Sequence, residues 1–405
     1  MKETTDSVNR IRIIDAIRGF SLLGILICNI LIFQYGLYGK EMLDLFHASP
    51  TDIAAHNILL VAAEGSFMPI FMFLFGYSLF KLRERLEQSG LKPWRALTRR
   101  FALLLGVGLL HATLLWDGDI LLPYGITGFV LLLFVNRKPK TLLIWAITLG
   151  VLFAAASYGM NEPSAGADPK LTDYVQRSIP VFSEGSYADI IKFRGEDPLD
   201  IPKAGLVLVA FMVPFMLLPM FLLGIAAAKK GWFHNPRQER TAYQYGAAVF
   251  LPLGILLKSF GVGLSQTQIG PVLTQIGGPL LALGYISAFA FLLSHLSKAS
   301  FLLKAFESVG RLSLTNYLMQ SVICTTLFYG YGLGWFGKVG VMTGTLLAIV
   351  IYALQAYAST LLLKRVKHGP FEMLLRIGTY FSLNGKLKLR TVPKPTPDPP
   401  VSADL

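Results

Sequence analysis

Charge is scarce in this chain. Asp, Glu, Lys and Arg make up 15% of its 405 residues, where a soluble protein carries about 25%. That is too little to coat a globule of this size, which excludes an ordinary soluble domain. Cysteine is nearly absent. Cys28 and Cys324 both sit in apolar runs, too few for a disulfide framework or a structural zinc site. Several signatures are missing as well. There is no GxxxxGK[ST] phosphate loop, HExxH, CxxC pair or GxSxG elbow, which disfavours ATP-driven pumping, zinc hydrolysis and serine hydrolysis. No convincing internal repeat is seen, and that weighs against an inverted-repeat transporter.

What is present is apolar. Hydrophobic residues reach 53% and aromatics 12%, with a net charge of +13. The expectation is an all-α fold, a polytopic membrane bundle of about ten transmembrane helices with both termini cytoplasmic. No cleavable signal peptide is apparent, because the first apolar run starts late and is long enough to span. The spans are expected near 16–34, 56–80, 101–116, 120–135, 141–160, 204–227, 241–261, 271–296, 312–336 and 339–363. The third and fourth, parted by Asp117-Gly118-Asp119, read as a tight helical hairpin.

The charges test this layout. The segments assigned to the inner side hold 29 of the 37 Lys/Arg and 10 of the 24 Asp/Glu, a balance of +19. The outer segments hold 8 and 14, a balance of −6. Every inner loop is basic, as the positive-inside rule requires. The basic excess therefore reports orientation, and no nucleic-acid partner is expected. Residues 1–380 read as one integral-membrane domain with a long outer loop at 161–203, which carries eight acidic residues. Residues 381–405 read as a cytoplasmic tail, disordered from about 391, where five prolines gather.

Polar groups inside the spans cost at least about 2.5–3.5 kcal/mol when charged, so each needs a partner or a task. Asp15 and Arg18 lie i, i+3 at the inner end of the first span, with Asn29 within about 40° of the Asp15 direction further out. They read either as a structural ion pair or, with Arg10 and Arg12 nearby, as an anion site for a phosphate-bearing cytosolic ligand. Glu64 lies roughly 12 Å in from the outer end of the second span. A lone Glu there must be protonated, paired or facing a wet cavity. Pro69 is expected to kink the helix just below it.

His111 lies ten residues from Phe101, about 15 Å, near the middle of a roughly 30 Å core. With Asp117 and Asp119 at the following turn, it suggests a general base with an orienting acid. Asp117 is i+6 from His111, on another face, so only a folded-back turn lets a carboxylate reach the ring. The other reading has His111 bonded to a neighbouring helix and the aspartates capping the next one. Asn316 and Gln320 lie i, i+4 and read as helix–helix glue or as a cavity lining. Glu372 and Arg376, also i, i+4, sit on a short amphipathic helix expected at the interface.

Four strings recur together in one family. RIRIIDAIRGFSLLGILICNI, HATLLWDGDILLPYGITG, VGRLSLTNYLMQS and GPFEMLLRIGTY resemble the YeiB-like family, domain-of-unknown-function family 418. The stretch from Asp15 to Arg18 is also similar to the opening of larger membrane acyltransferase families. That resemblance implies transfer of an acyl group from cytosolic acyl-CoA to an acceptor at the outer face.

On that reading His111, Asp117 and Asp119 are catalytic. Asn29, Glu64, Tyr124, Asn316 and Gln320 line the substrate cavity, and Asp15, Arg18 and Arg311 bind the donor. No metal or covalent cofactor is expected, and acyl-CoA is the co-substrate. The expected partners are the lipid bilayer and a small-molecule, lipid or glycan acceptor, with a homodimer as an option. The expected location is a bacterial plasma membrane. The alternatives are a secondary transporter or proton-coupled permease using Glu64 and His111, and a lipid-binding membrane protein without chemistry.

Overall fold

A computed structural model describes residues 11–160, 168–297 and 300–385. Arg10, the start of the outer loop and the tail expected beyond 391 lie outside the described residues. Among the described residues the fold is helical throughout, as the apolar runs require. The fifteen α-helices, in chain order, are α1 (Arg12–Tyr35), α2 (Pro50–Ala62), α3 (Phe67–Gln88), α4 (Pro93–Leu114), α5 (Leu121–Phe134), α6 (Pro139–Ala156), α7 (Pro169–Glu184), α8 (Tyr187–Arg194), α9 (Lys203–Lys229), α10 (Arg240–Gly263), α11 (Gly270–His295), α12 (Phe301–Arg311), α13 (Ser313–Phe328), α14 (Val341–Arg365) and α15 (Pro370–Tyr380). Eight helical segments are long and apolar enough to cross a membrane, with α2 and α3 together forming one of them. The protein is a polytopic helical membrane protein.

Two of the ten expected spans are short. The fourth is α5, at 14 residues. The ninth is α13, at 16 residues, because the chain after Phe328 leaves the helix and folds into turns. These turns are pinned by Gly330 N–H to the Phe182 carbonyl at 2.7 Å and Gly337 N–H to the Gln34 carbonyl at 2.8 Å. The second expected span is broken. Helix α2 ends at Ala62 and α3 starts at Phe67, with Gly65 at φ +64° in between. The carbonyls freed by the break find donors on other helices. Tyr285 on α11 donates to Ala62 O at 2.7 Å, and the Lys258 ammonium on α10 donates to Glu64 O. An unmet backbone carbonyl at this depth costs several kcal/mol, so these two side chains make the break tolerable.

The central helix is α1. It packs so closely on α12 that a side chain at either crossing glycine meets backbone. A Cβ at Gly310 would lie 1.8 Å from Asp15 O, and one at Gly19 2.0 Å from Phe306 O. Small residues let helix backbones approach where no hydrophobic drive exists between them. The α4–α5 hairpin uses the same device: a Cβ at Gly108 would lie 2.4 Å from Leu122 N. The segment expected as the outer loop holds α7 and α8, and α8 bonds to the end of α4 in this hairpin. A capping box of Ser186 and Asp189 opens α8, and its hydrogen bonds hold the Asp189 carboxyl below its ordinary range.

Gly310→Ala is expected to lower stability by about 1–3 kcal/mol through overpacking. Thermal unfolding of purified protein in detergent checks this. An unchanged midpoint would mean that α1 and α12 do not approach so closely.

Candidate functional site

The site forms where α4 ends. Residues Leu115–Ile120 fold back on the helix instead of leaving it. Both Leu115 N–H and Trp116 N–H donate to the His111 carbonyl at 2.9 Å, closing a compact turn. This brings Asp119, and not Asp117, to the imidazole: His111 Nδ1 lies 2.7 Å from Asp119 Oδ1. The other carboxylate oxygen accepts from Leu122 N–H at 2.6 Å, so Asp119 also caps the N-terminus of α5, where an anion is favoured. The contact to the ring and the cap on the next helix therefore fall on one residue, Asp119.

The far side of the ring meets a third segment. His111 Nε2 lies 2.9 Å from the Ser321 hydroxyl on α13. The ring thus bridges the two, Nδ1 facing the carboxylate and Nε2 facing the hydroxyl, the arrangement of a neutral imidazole that donates through Nδ1 and accepts through Nε2. The result is an Asp119–His111–Ser321 relay. The His111 and Asp119 side chains are each 2% exposed, and Ser321 is 1% exposed. Tyr317, one turn before Ser321, tilts against the imidazole at 5.4 Å between ring centres. Its hydroxyl accepts from Ile120 N–H at 3.2 Å. Trp116 is fully buried, stacks on Phe33 of α1 at 4.1 Å and stands 6.4 Å from His111.

Helix α8 closes this arrangement. Tyr187 donates to Leu114 O at 2.6 Å, and Arg194 donates to Ala112 O. The last carbonyls of α4 thus have side-chain donors. The Asp117 side chain is 43% exposed, with the Arg194 guanidinium 3.7 Å off.

The remaining expected residues fall into other groups. Asn29 is half-buried, one turn before Phe33 on the α1 face that meets Trp116. Tyr124 is buried among Phe71, Phe75 and Phe221, and its hydroxyl is 3.5 Å from Met68 O. Glu64 sits at the α2–α3 break, where Lys40 pairs with it at 2.5 Å. Asn316 and Gln320 face α14. Asn316 donates to Ser359 at 3.0 Å and Gln320 to Gln355 at 2.9 Å, a buried polar ladder between two helices. Arg18 donates to Asp15 at 3.0 Å, to Ser78 on α3 at 2.6 Å and to Gly310 O at 3.4 Å, joining α1, α3 and α12 beside Arg311.

Glu372 does not pair with Arg376. Its carboxylate caps α13 instead, accepting from Leu314 N–H at 2.8 Å, Thr315 N–H at 3.0 Å and the Thr315 hydroxyl at 2.6 Å. Arg99 on α4 donates to Gly378 O at 3.0 Å and Thr379 O at 2.9 Å. Helix α15 therefore clamps α13 to α4, the two helices that carry Ser321 and His111. Among the described residues no group of three or more His, Cys, Asp and Glu side chains is arranged to hold a metal ion.

Sequence reasoning missed Ser321. It lies one position from Gln320, about 100° round the helix. The i, i+4 spacing of Tyr317 and Ser321 is the signal that marks a second polar stripe, facing α4.

An all-helical membrane bundle with a buried polar relay is the class that this geometry defines. A family model described as a protein of unknown function (DUF418) matches residues 227–382. The chain is similar to the uncharacterized protein YxaH of Bacillus subtilis strain 168, 36% identical over 92% of this chain and 95% of that protein. It is also similar to the uncharacterized protein YeiB of Escherichia coli strain K12, 27% identical over 90% of this chain and 94% of that protein. The chain belongs to the YeiB-like DUF418 family.

Arg194→Met is expected to free the Ala112 carbonyl and loosen the turn, costing about 1–3 kcal/mol. Hydrogen exchange should quicken at residues 112–120 and stay unchanged in α10. Unaltered protection at the turn would contradict the role given to α8.

Proposed function

We propose that this protein moves an acyl group from a cytosolic acyl-CoA thioester to a hydroxyl or amine acceptor at the outer face of a bacterial plasma membrane. The observation that carries the proposal is the relay, in which an imidazole is oriented by Asp119 through Nδ1 and presents Nε2 to a hydroxyl at 2.9 Å. That geometry suits a general base that takes a proton from an attacking oxygen. Asp119 fixes the tautomer and steadies the imidazolium as it forms. Asp117, half-exposed beneath Arg194, suits the acceptor side.

The layout along α1 supports a donor that enters from the basic face. Arg18 and Phe33 are fifteen residues apart, about 22 Å at 1.5 Å per residue, comparable to an extended pantetheine arm. Arg18 stands at one end, its guanidinium oriented by Asp15 and Ser78. Phe33 at the other end touches Trp116. The donor phosphates suit the Arg18 and Arg311 region, and the thioester suits the relay. Because the relay is closed to solvent, turnover on this account needs the α7–α8 cover or α13 to move aside.

The broken α2–α3 span raises a second reading, a transporter, since discontinuous helices often hold transported ions. Here the freed carbonyls are met by Tyr285 and Lys258 and Glu64 by Lys40. The polar groups at the break are engaged internally, which favours acyl transfer.

Purified protein is expected to bind acyl-CoA and release CoA from it. His111→Ala should cut release by about 10²–10⁴-fold and leave binding in place. No acyl-CoA binding at ligand concentrations on the order of millimolar would sink the proposal, and solute counterflow lost in Glu64→Gln would favour the transporter.

A further inference from the structure

We propose that Ser321 is the nucleophile that carries the acyl group between donor and acceptor, with the Trp116 indole N–H as the donor to the thioester carbonyl oxygen. This deepens the acyl-transfer reading and rests on it. Two independent observations carry it.

The first is how Ser321 uses its hydroxyl. A Ser or Thr inside an apolar helix ordinarily bonds back to a carbonyl one turn earlier. Thr326 does so to Val322 O at 2.8 Å, Thr127 to Pro123 O at 2.7 Å and Thr360 to Ala356 O at 2.8 Å. Ser321 instead aims at His111 Nε2. The hydroxyl is held by a base that is itself oriented by a carboxylate, the arrangement that activates a nucleophile.

The second is Trp116. Its Nε1 is buried and has no hydrogen-bond partner. Leaving a buried donor unmet costs about 1–3 kcal/mol. Its ring is locked against Phe33 and stands beside the imidazole. A fixed, unspent N–H on a ring beside the imidazole is suited to oxygen charge that develops only during reaction.

The chemistry balances without any further reagent. His111 Nε2 takes the Ser321 proton as Oγ bonds to the thioester carbon. The carbonyl oxygen gains charge and accepts from Trp116 N–H. The C–S bond then breaks, and the thiol leaves with the proton held on Nε2. In the second half the acceptor hydroxyl or amine gives its proton to Nε2 and attacks the Ser321 ester. The C–Oγ bond breaks, and Oγ regains the proton.

The test uses the full-length purified protein and a series of CoA thioesters from acetyl to palmitoyl, without acceptor. Peptide mass spectrometry should find one acyl group on the peptide that holds Ser321. Ser321→Ala should lose the adduct and about 10²-fold or more of CoA release. Ser321→Cys should carry the adduct as a thioester that neutral hydroxylamine removes, whereas the serine ester resists. That variant decides the matter if Ser321→Ala fails to fold. Trp116→Phe should still fold and bind acyl-CoA while slowing CoA release by about 10²–10³-fold. The inference is overturned if the wild type consumes thioester with no adduct at Ser321, or if Ser321→Ala turns over at the wild-type rate. Either result leaves direct transfer by His111 standing. A wild type that neither binds nor consumes any thioester removes both readings.

Discussion

A carboxylate moved out of water costs several kcal/mol unless its charge is met. Asp119 is nearly sealed, with its side chain 2% exposed. One of its oxygens meets His111 Nδ1 and the other accepts from Leu122 N–H at the start of α5. Both bonds exist only because the chain folds back after Leu114. The turn depends in turn on its cover, because Arg194 and Tyr187 satisfy the carbonyls that the end of α4 exposes. Helix α8 is thus part of the site. Without α8 the turn would open to water, and the low-dielectric setting that strengthens the relay would be lost.

The rest of the bundle fixes where the third member stands. Ser321 reaches Nε2 because α13 is held in register from both sides. Asn316 and Gln320 tie it to α14, and Glu372 fastens its N-terminus to α15, which Arg99 secures to α4. Through Phe33 and Trp116 the site also rests on α1, whose inner half is pressed onto α12 by paired glycines. Asn316 and Gln320, on the α14 side of α13, thus help to position Ser321 on its α4 side.

The architecture was legible in the sequence because long apolar runs and loop charges have one economical solution in a bilayer. Segment ends were less so. The second span reads as continuous, yet it breaks at Glu64–Ser66, since the donors that permit the break, Lys258 and Tyr285, lie about 200 residues away in sequence. His111 and the nearby aspartates stood out because imidazole and carboxylate are costly at depth. Which aspartate serves the ring depended on the path of a six-residue turn, and helical spacing says nothing about that. Ser321 was hidden for a different reason: hydroxyls in apolar helices usually satisfy themselves, so composition gives no hint of one that does not. Glu372 read as a local partner of Arg376 because i, i+4 spacing favours it. A helix N-terminus offering three donors is the stronger claim on a carboxylate.

The central claim is that Asp119, His111 and Ser321 act as one unit. A double-mutant cycle on CoA release measures this, with Asp119→Asn, Ser321→Ala and their combination compared against the wild type. Residues that work as a single relay lose most of their effect at the first removal, so the double variant should be about as slow as the slower single variant. Independent losses that multiply in the double variant would contradict the relay and reduce the three residues to separate packing contacts.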